Sequence, residues 1–154
     1  MTRVVQPASP GDIAVVRALF EEYARAVAAP ACFAGYEREL DLLPGEYMPP
    51  GGGLFLAWQG QEPAGCAALR RIDPETGEMK RLYVRPGFRG SGVGRALALA
   101  VISAARTSGY VRLVLDTLPL MTQAQALYRS LGFNPIGPYL ACPTPGASCF
   151  ELRL

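Results

Sequence analysis

The chain has 154 residues, half of them apolar, and sets 15 basic against 13 acidic side chains for a net charge of +2. That length supports one domain with a full core and is short for two. The near balance of intermixed charges gives no field suited to nucleic acid or to an anionic membrane.

From the N-terminus, Thr2 to Gln6 reads as a strand, and Ser9-Pro10-Gly11-Asp12 is a capping box with proline at the first helical position. Ile13, Val16, Phe20, Tyr23 and Val27 then recur at three and four residues, which predicts an amphipathic helix to about Ala28, stopped by Pro30. A weaker helix spans Tyr36 to Leu43, and the proline and glycine run from Pro49 to Gly53 is a connection. Leu54 to Trp58, Ala64 to Ile72 and Glu78 to Val84 follow as three strands of an antiparallel meander. Val93 to Ala105 is an apolar helix ended near Gly109, and Val111 to Leu115 is a continuously apolar strand. Strand, helix and strand in that order predict a parallel pair with a right-handed crossover. Leu120, Ala124, Leu127, Tyr128 and Leu131 form one helical face, Phe133 to Ile136 starts another strand, and Ser148 to Leu154 closes the sheet. The sum is an α/β fold with a sheet of mixed direction.

Several chemistries fall away on residue type. There is no histidine, and Cys32, Cys66, Cys142 and Cys149 form no Cys-x-x-Cys pair. Zinc ligation is therefore not expected, and neither is a histidine-activated serine or cysteine. A general base must be a carboxylate, tyrosine, lysine, the N-terminus or water. The longest strictly apolar run, Ala96 to Ile102, is far short of a membrane span. Asp12 and Arg17 lie where a secretion signal would need an apolar core, so a cytoplasmic location is the default expectation.

The most informative segment is Arg89-Gly90-Ser91-Gly92-Val93-Gly94, between a strand and a helix. Glycine lets a backbone approach a ligand closely, and the following helix offers unpaired N–H groups and the positive end of its dipole. With Arg89, these suit a pyrophosphate. A P-loop would need Gly-Lys followed by Ser or Thr, and no Lys-Ser or Lys-Thr occurs. A dinucleotide site wants an acidic residue about twenty positions on, and Asp116 stands near there, although the glycine spacing matches only in part. That reading stays open.

Arg89, Gly92 and Gly94 also meet the Arg/Gln-x-x-Gly-x-Gly/Ala pattern. Glu78 to Pro86 precedes it, and Ala124-Gln125-Ala126-Leu127-Tyr128-Arg129-Ser130-Leu131-Gly132-Phe133 follows. Together these three segments resemble the GNAT acetyltransferase superfamily over residues 78 to 134. The resemblance implies a GNAT-like acyltransferase fold, with helices on both faces of a mixed central sheet. It further implies acetyl-CoA as co-substrate, a primary amine as acceptor and a frequent homodimer. On this resemblance the pyrophosphate would rest on the amides of Arg89, Gly90, Ser91, Gly92, Val93 and Gly94, and the pantetheine arm along Leu82, Tyr83 and Val84.

The resemblance also implies that Tyr128 protonates the leaving thiolate and that Glu78 accepts the amine proton, directly or through water. Period-two alternation would put Glu78, Lys80, Leu82 and Val84 on one strand face. Acceptor contacts are expected from residues 31–50 and 139–147, with Phe33, Tyr36 and Tyr139 as candidates. Where many members carry an asparagine, this chain has Met121, which packs but donates no amide hydrogen bond. A non-catalytic acyl-CoA-binding domain of the same fold stays open beside the enzyme.

Overall fold

The computed structural model describes residues 1–27, 36–139 and 146–154. In chain order its elements are β1 (Thr2–Val5), α1 (Pro10–Val27), α2 (Tyr36–Leu42), β2 (Gly53–Gln59), β3 (Glu62–Asp73) and β4 (Thr76–Val84). They continue with α3 (Val93–Thr107), β5 (Arg112–Thr117), α4 (Thr122–Ser130), β6 (Asn134–Ile136) and β7 (Ser148–Arg153). α1 starts as its sequence predicts, with the Asp12 amide donating to Ser9 Oγ at 3.1 Å. α3 stops at Ser108, and Gly109 follows at φ +85°. Leu120 departs from expectation: it precedes α4 rather than belonging to its face, and it is 93% exposed.

The seven strands form one sheet in the order β1-β2-β3-β4-β5-β7-β6. Only β4 and β5 run parallel, joined by the crossover through α3, and every other neighbouring pair is antiparallel. Each sheet face carries its own core. Val93, Leu97, Val101 and Ala105 of α3 and Tyr128 of α4 pack on Phe55, Leu69, Met79, Leu115 and Phe150. On the opposite face Val16, Leu19 and Phe20 of α1, with Tyr36 and Tyr47, cover Leu54, Leu56, Cys66, Ala68 and Tyr83. Helices thus cover both sides, and burying both faces of the central strands accounts for their nearly continuous apolar runs.

Two irregularities in β4 position the site. First, β4 bonds to β5 only from Thr76 to Glu78, opposite Arg112 to Val114, so the strands part beyond that point. Second, the register with β3 slips: Lys80 opposes Ala68 while Tyr83 opposes Cys66, leaving Arg81 and Leu82 across from Ala67 alone. This is a β-bulge, and Arg81 sits in it at φ +60°, unusual for a residue with a side chain.

The bulge corrects the expected alternation. Glu78 and Lys80 keep to the α1 side, but Leu82 and Val84 turn to the α3 side, while Arg81 and Tyr83 stand on the α1 side. A strict period of two holds only as far as Lys80, because the extra residue reverses every side chain beyond it.

Candidate active site

A cleft of about 780 Å³ opens where β4 and β5 separate. Its walls are the C-terminal end of α1 (Tyr23, Ala26, Val27), the end of β4 (Leu82, Tyr83, Val84), the turn into α3 and the approach to α4 (Leu118, Leu120 to Ala124, and Leu127). The volume suits a small-molecule ligand, and the position beyond the carboxyl end of a parallel pair is where open α/β sheets collect ligands.

The glycine turn forms one end of the cleft. Gly90 and Gly92 have φ of +81° and +86°, and a Cβ built on either would meet no protein atom within 4 Å. Their side-chain positions therefore face open space. Gly92 caps α3, its carbonyl accepting from the Ala96 amide at 3.0 Å. The amides of the first α3 turn have no acceptor within the helix and point their partial positive charge outward. Arg89 is exposed, and its Nε donates to the Val84 carbonyl at 3.0 Å, which holds the guanidinium at the mouth of the turn. Ser91 Oγ donates to the Phe88 carbonyl at 2.6 Å, so this hydroxyl braces the loop; Ser91 is the one predicted turn residue absent from the cleft lining. A cradle with open Cβ positions, bare amides and a fixed arginine fits the diphosphate of acetyl-CoA.

Beyond Glu78 the β4 backbone has no β5 partner, while β3 holds its other edge through Val84 opposite Gly65 and Tyr83 opposite Cys66. Its free peptide groups offer a hydrogen-bonding rail along the cleft for an extended amide-containing ligand. Gly65 is needed here, because a Cβ on it would clash with the Tyr83 carbonyl and press on Leu97 Cδ1 at 3.2 Å.

Tyr128 lies at the inner end of α4. It is 6% exposed and packs against Phe133 and Phe150, with ring centroids 5.7 and 6.3 Å away. Its phenol has no hydrogen-bond partner among the described residues, and burial pushes its pKa above the ordinary tyrosine range, with the charge of Asp116 adding to the effect. Ala124, one turn earlier, and the adjacent Leu127 line the cleft, whereas Tyr128 itself is not among the lining residues. Met121 lines it as well, and its sulfur accepts a contact from Thr117 Oγ1 at 3.5 Å.

On the α1 side of the sheet a polar cluster adjoins this end. Glu78 is 1% exposed rather than solvated: Arg70 Nε donates to one carboxylate oxygen at 2.6 Å and the Tyr139 phenol to the other at 2.5 Å. Tyr139 is thereby tied to β4. Glu78 itself does not line the cleft. Arg81 pairs with Glu39 through two contacts of 3.0 Å and lies over the Tyr36 ring at 4.9 Å. Tyr36 is buried, with its hydroxyl donating to the Phe20 carbonyl, and it acts in packing. Phe33 lies outside the described residues. Cys66 is fully buried and its thiol is pushed well above the usual range by that burial, which removes it as a nucleophile.

Tyr23 was hidden from sequence reasoning because it occupies the apolar repeat of α1; it lines the cleft and meets Tyr83 at 5.8 Å. The bulge did leave a trace. Lys80 and Arg81 are two consecutive charged residues in a strand that otherwise alternates, and a bulge lets both stand on one face.

Residues 16–133 match the model of the Acetyltransferase (GNAT) family. The chain belongs to that family. An uncharacterised N-acetyltransferase of Schizosaccharomyces pombe is 34% identical over 147 residues, covering 94% of this chain and 90% of its own. Among solved structures, an acetyltransferase from Streptococcus agalactiae superimposes with a TM-score of 0.81 at 23% identity, covering 99% of this chain and 98% of its own. A GNAT acetyltransferase from Elizabethkingia anophelis with acetyl-CoA bound superimposes with a TM-score of 0.66 at 22% identity, covering 99% and 98% of the two chains. Family membership selects the acyltransferase reading of the glycine turn over the dinucleotide one.

Proposed function

We propose that this acetyltransferase transfers an acetyl group from acetyl-CoA to a primary amine by direct attack, acting in the cytoplasm and without a covalent enzyme intermediate. The observation that carries the reading is the cleft itself. Bare amides and Arg89 stand at one end and an unpaired β4 edge runs along it, while Tyr128, buried behind the lining residue Leu127, has no hydrogen-bond partner among the described residues. The neighbour that holds acetyl-CoA supports the choice of donor.

The diphosphate rests on the amides from Gly90 to Gly94 and on the Arg89 side chain, the Arg89 amide being committed to the Pro86 carbonyl at 3.4 Å, and the pantetheine arm follows Leu82, Tyr83 and Val84. The amine nitrogen attacks the thioester carbonyl, a C–N bond forms, the C–S bond breaks and the thiolate departs. Tyr128 protonates that sulfur; its raised pKa keeps it a proton donor through the physiological range. The amine must lose a proton, and Glu78 receives it through Tyr139: the phenol oxygen takes the proton as its own passes to the carboxylate. Arg70 Nε, bonded to the other carboxylate oxygen at 2.6 Å, fixes the orientation of Glu78 toward Tyr139.

The test is acetyl-CoA-dependent release of thiol in the presence of an amine panel, with the acetylated amine identified by mass spectrometry. Stoichiometric thiol and amide are expected. Acetyl-CoA binding without turnover of any amine would instead indicate an acyl-CoA-binding domain.

A further inference from the structure

The charged side chains on the α1 face of β3, β4 and β5 are paired with two exceptions. Arg81 is matched by Glu39 at 3.0 Å, and Arg70 by Glu78 at 2.6 Å and Glu46 at 3.4 Å. Lys80 and Asp116 have no ion pair within 4.0 Å among the described residues. Residues 28–35 and 140–145, outside that set, contain no charged side chain that could supply one.

These two residues also occupy equivalent places. The last paired positions of the parallel strands are Glu78 and Val114, and Lys80 and Asp116 each lie two residues further on, so both project from the same sheet face where the strands part. Asp116 is open to solvent, and Lys80 is partly so. A half-buried ammonium without a counter-ion is unfavourable. Burial and the neighbouring Arg81 hold Lys80 below the usual lysine range. A ligand bearing one group of each sign, a few bonds apart, pairs with both.

We propose that the acceptor is a zwitterionic α-amino acid whose carboxylate is seated by Lys80 and whose amino group is received beside Asp116. This rests on the amine-acceptor reading above and names its substrate class. The two groups fix the amino acid at both ends, which aims its nitrogen at the gap between β4 and β5.

The test compares kcat/KM for a set of L-amino acids with that for their methyl esters and decarboxylated amines, in the wild type, Lys80→Met and Lys80→Arg. A charge-assisted contact of this kind is worth roughly ten- to a hundredfold. The acid-to-ester ratio should therefore fall about tenfold or more in Lys80→Met and be largely kept in Lys80→Arg, with acetyl-CoA binding confirming that both variants fold. Asp116→Asn should raise KM for amino acids. A ratio that Lys80→Met leaves unmoved overturns the proposal, as does turnover of simple amines in preference to amino acids. Acetyl-CoA binding with thiol release from no amine at all would instead defeat the amine-acceptor reading beneath it.

Discussion

Replacing Tyr128 with phenylalanine separates a catalytic from a packing role. The ring is clamped by Phe133 and Phe150 and is 6% exposed, so phenylalanine keeps that packing. The lost hydroxyl has no hydrogen-bond partner among the described residues, so no donor or acceptor is orphaned by its removal. Stability should change by no more than about 0.5 kcal/mol, the range of substitutions that break no named interaction. Removing a general acid typically lowers the rate by about 10²-fold or more, or about 2.7 kcal/mol of barrier. The variant should thus unfold in urea like the wild type and bind acetyl-CoA with unchanged affinity, while kcat falls at least a hundredfold. Because burial raises the phenol pKa, wild-type kcat should show no loss from tyrosine ionisation below about pH 10. An unchanged kcat, or a kcat loss that merely tracks a loss of stability, would refute the assignment.

Other substitutions probe the donor cradle and the frame around it. Gly92→Val should abolish acetyl-CoA binding in calorimetry, because it puts a branched side chain at φ +86° and fills the space the diphosphate needs; retained micromolar affinity would contradict the cradle. Glu39→Gln removes the carboxylate that Arg81 meets through two 3.0 Å contacts and should destabilise the fold by about 3 kcal/mol in urea unfolding, a loss expected of broken buried pairs. Hydrogen bonding to Arg85 holds the Glu22 carboxyl below its ordinary range, so its stabilisation is present above the unfolded-state pKa and is lost as pH falls through the folded one. The advantage of wild type over Glu22→Gln, at most about 1 kcal/mol for a partly exposed pair, should be full at pH 7 and start to decline only as pH falls below about 4, toward the depressed folded-state value; parallel stability curves would contradict this.

The parts of the site built from backbone were legible in the sequence. Glycines 90 and 92 mark a left-handed turn that residues with side chains rarely adopt, whereas Gly94 is helical and has room for a Cβ, and the apolar spacing of α3 with the strand after it fixes the parallel crossover. What stayed hidden depends on long-range packing. Glu78 looks like a solvated charge beside a turn, yet Arg70 from the next strand and Tyr139 from a loop sixty-one residues away bury it. The bulge at Arg81 belongs to the register with β3, and without it the faces of Leu82 and Val84 come out reversed. Tyr36 offered no sign, in a weakly patterned helix, that its hydroxyl would be committed to the Phe20 carbonyl.

The central claim is that the cleft between the glycine turn and α4 binds acetyl-CoA and that the protein delivers its acetyl group to an amine. The most direct measurement is calorimetric titration of the protein with acetyl-CoA, followed by addition of amines while free thiol is assayed. The account predicts saturable one-site binding, lost in Gly92→Val, and then thiol release with an amine. Absence of acetyl-CoA binding by the wild-type protein would contradict it from the turn at Arg89 onward.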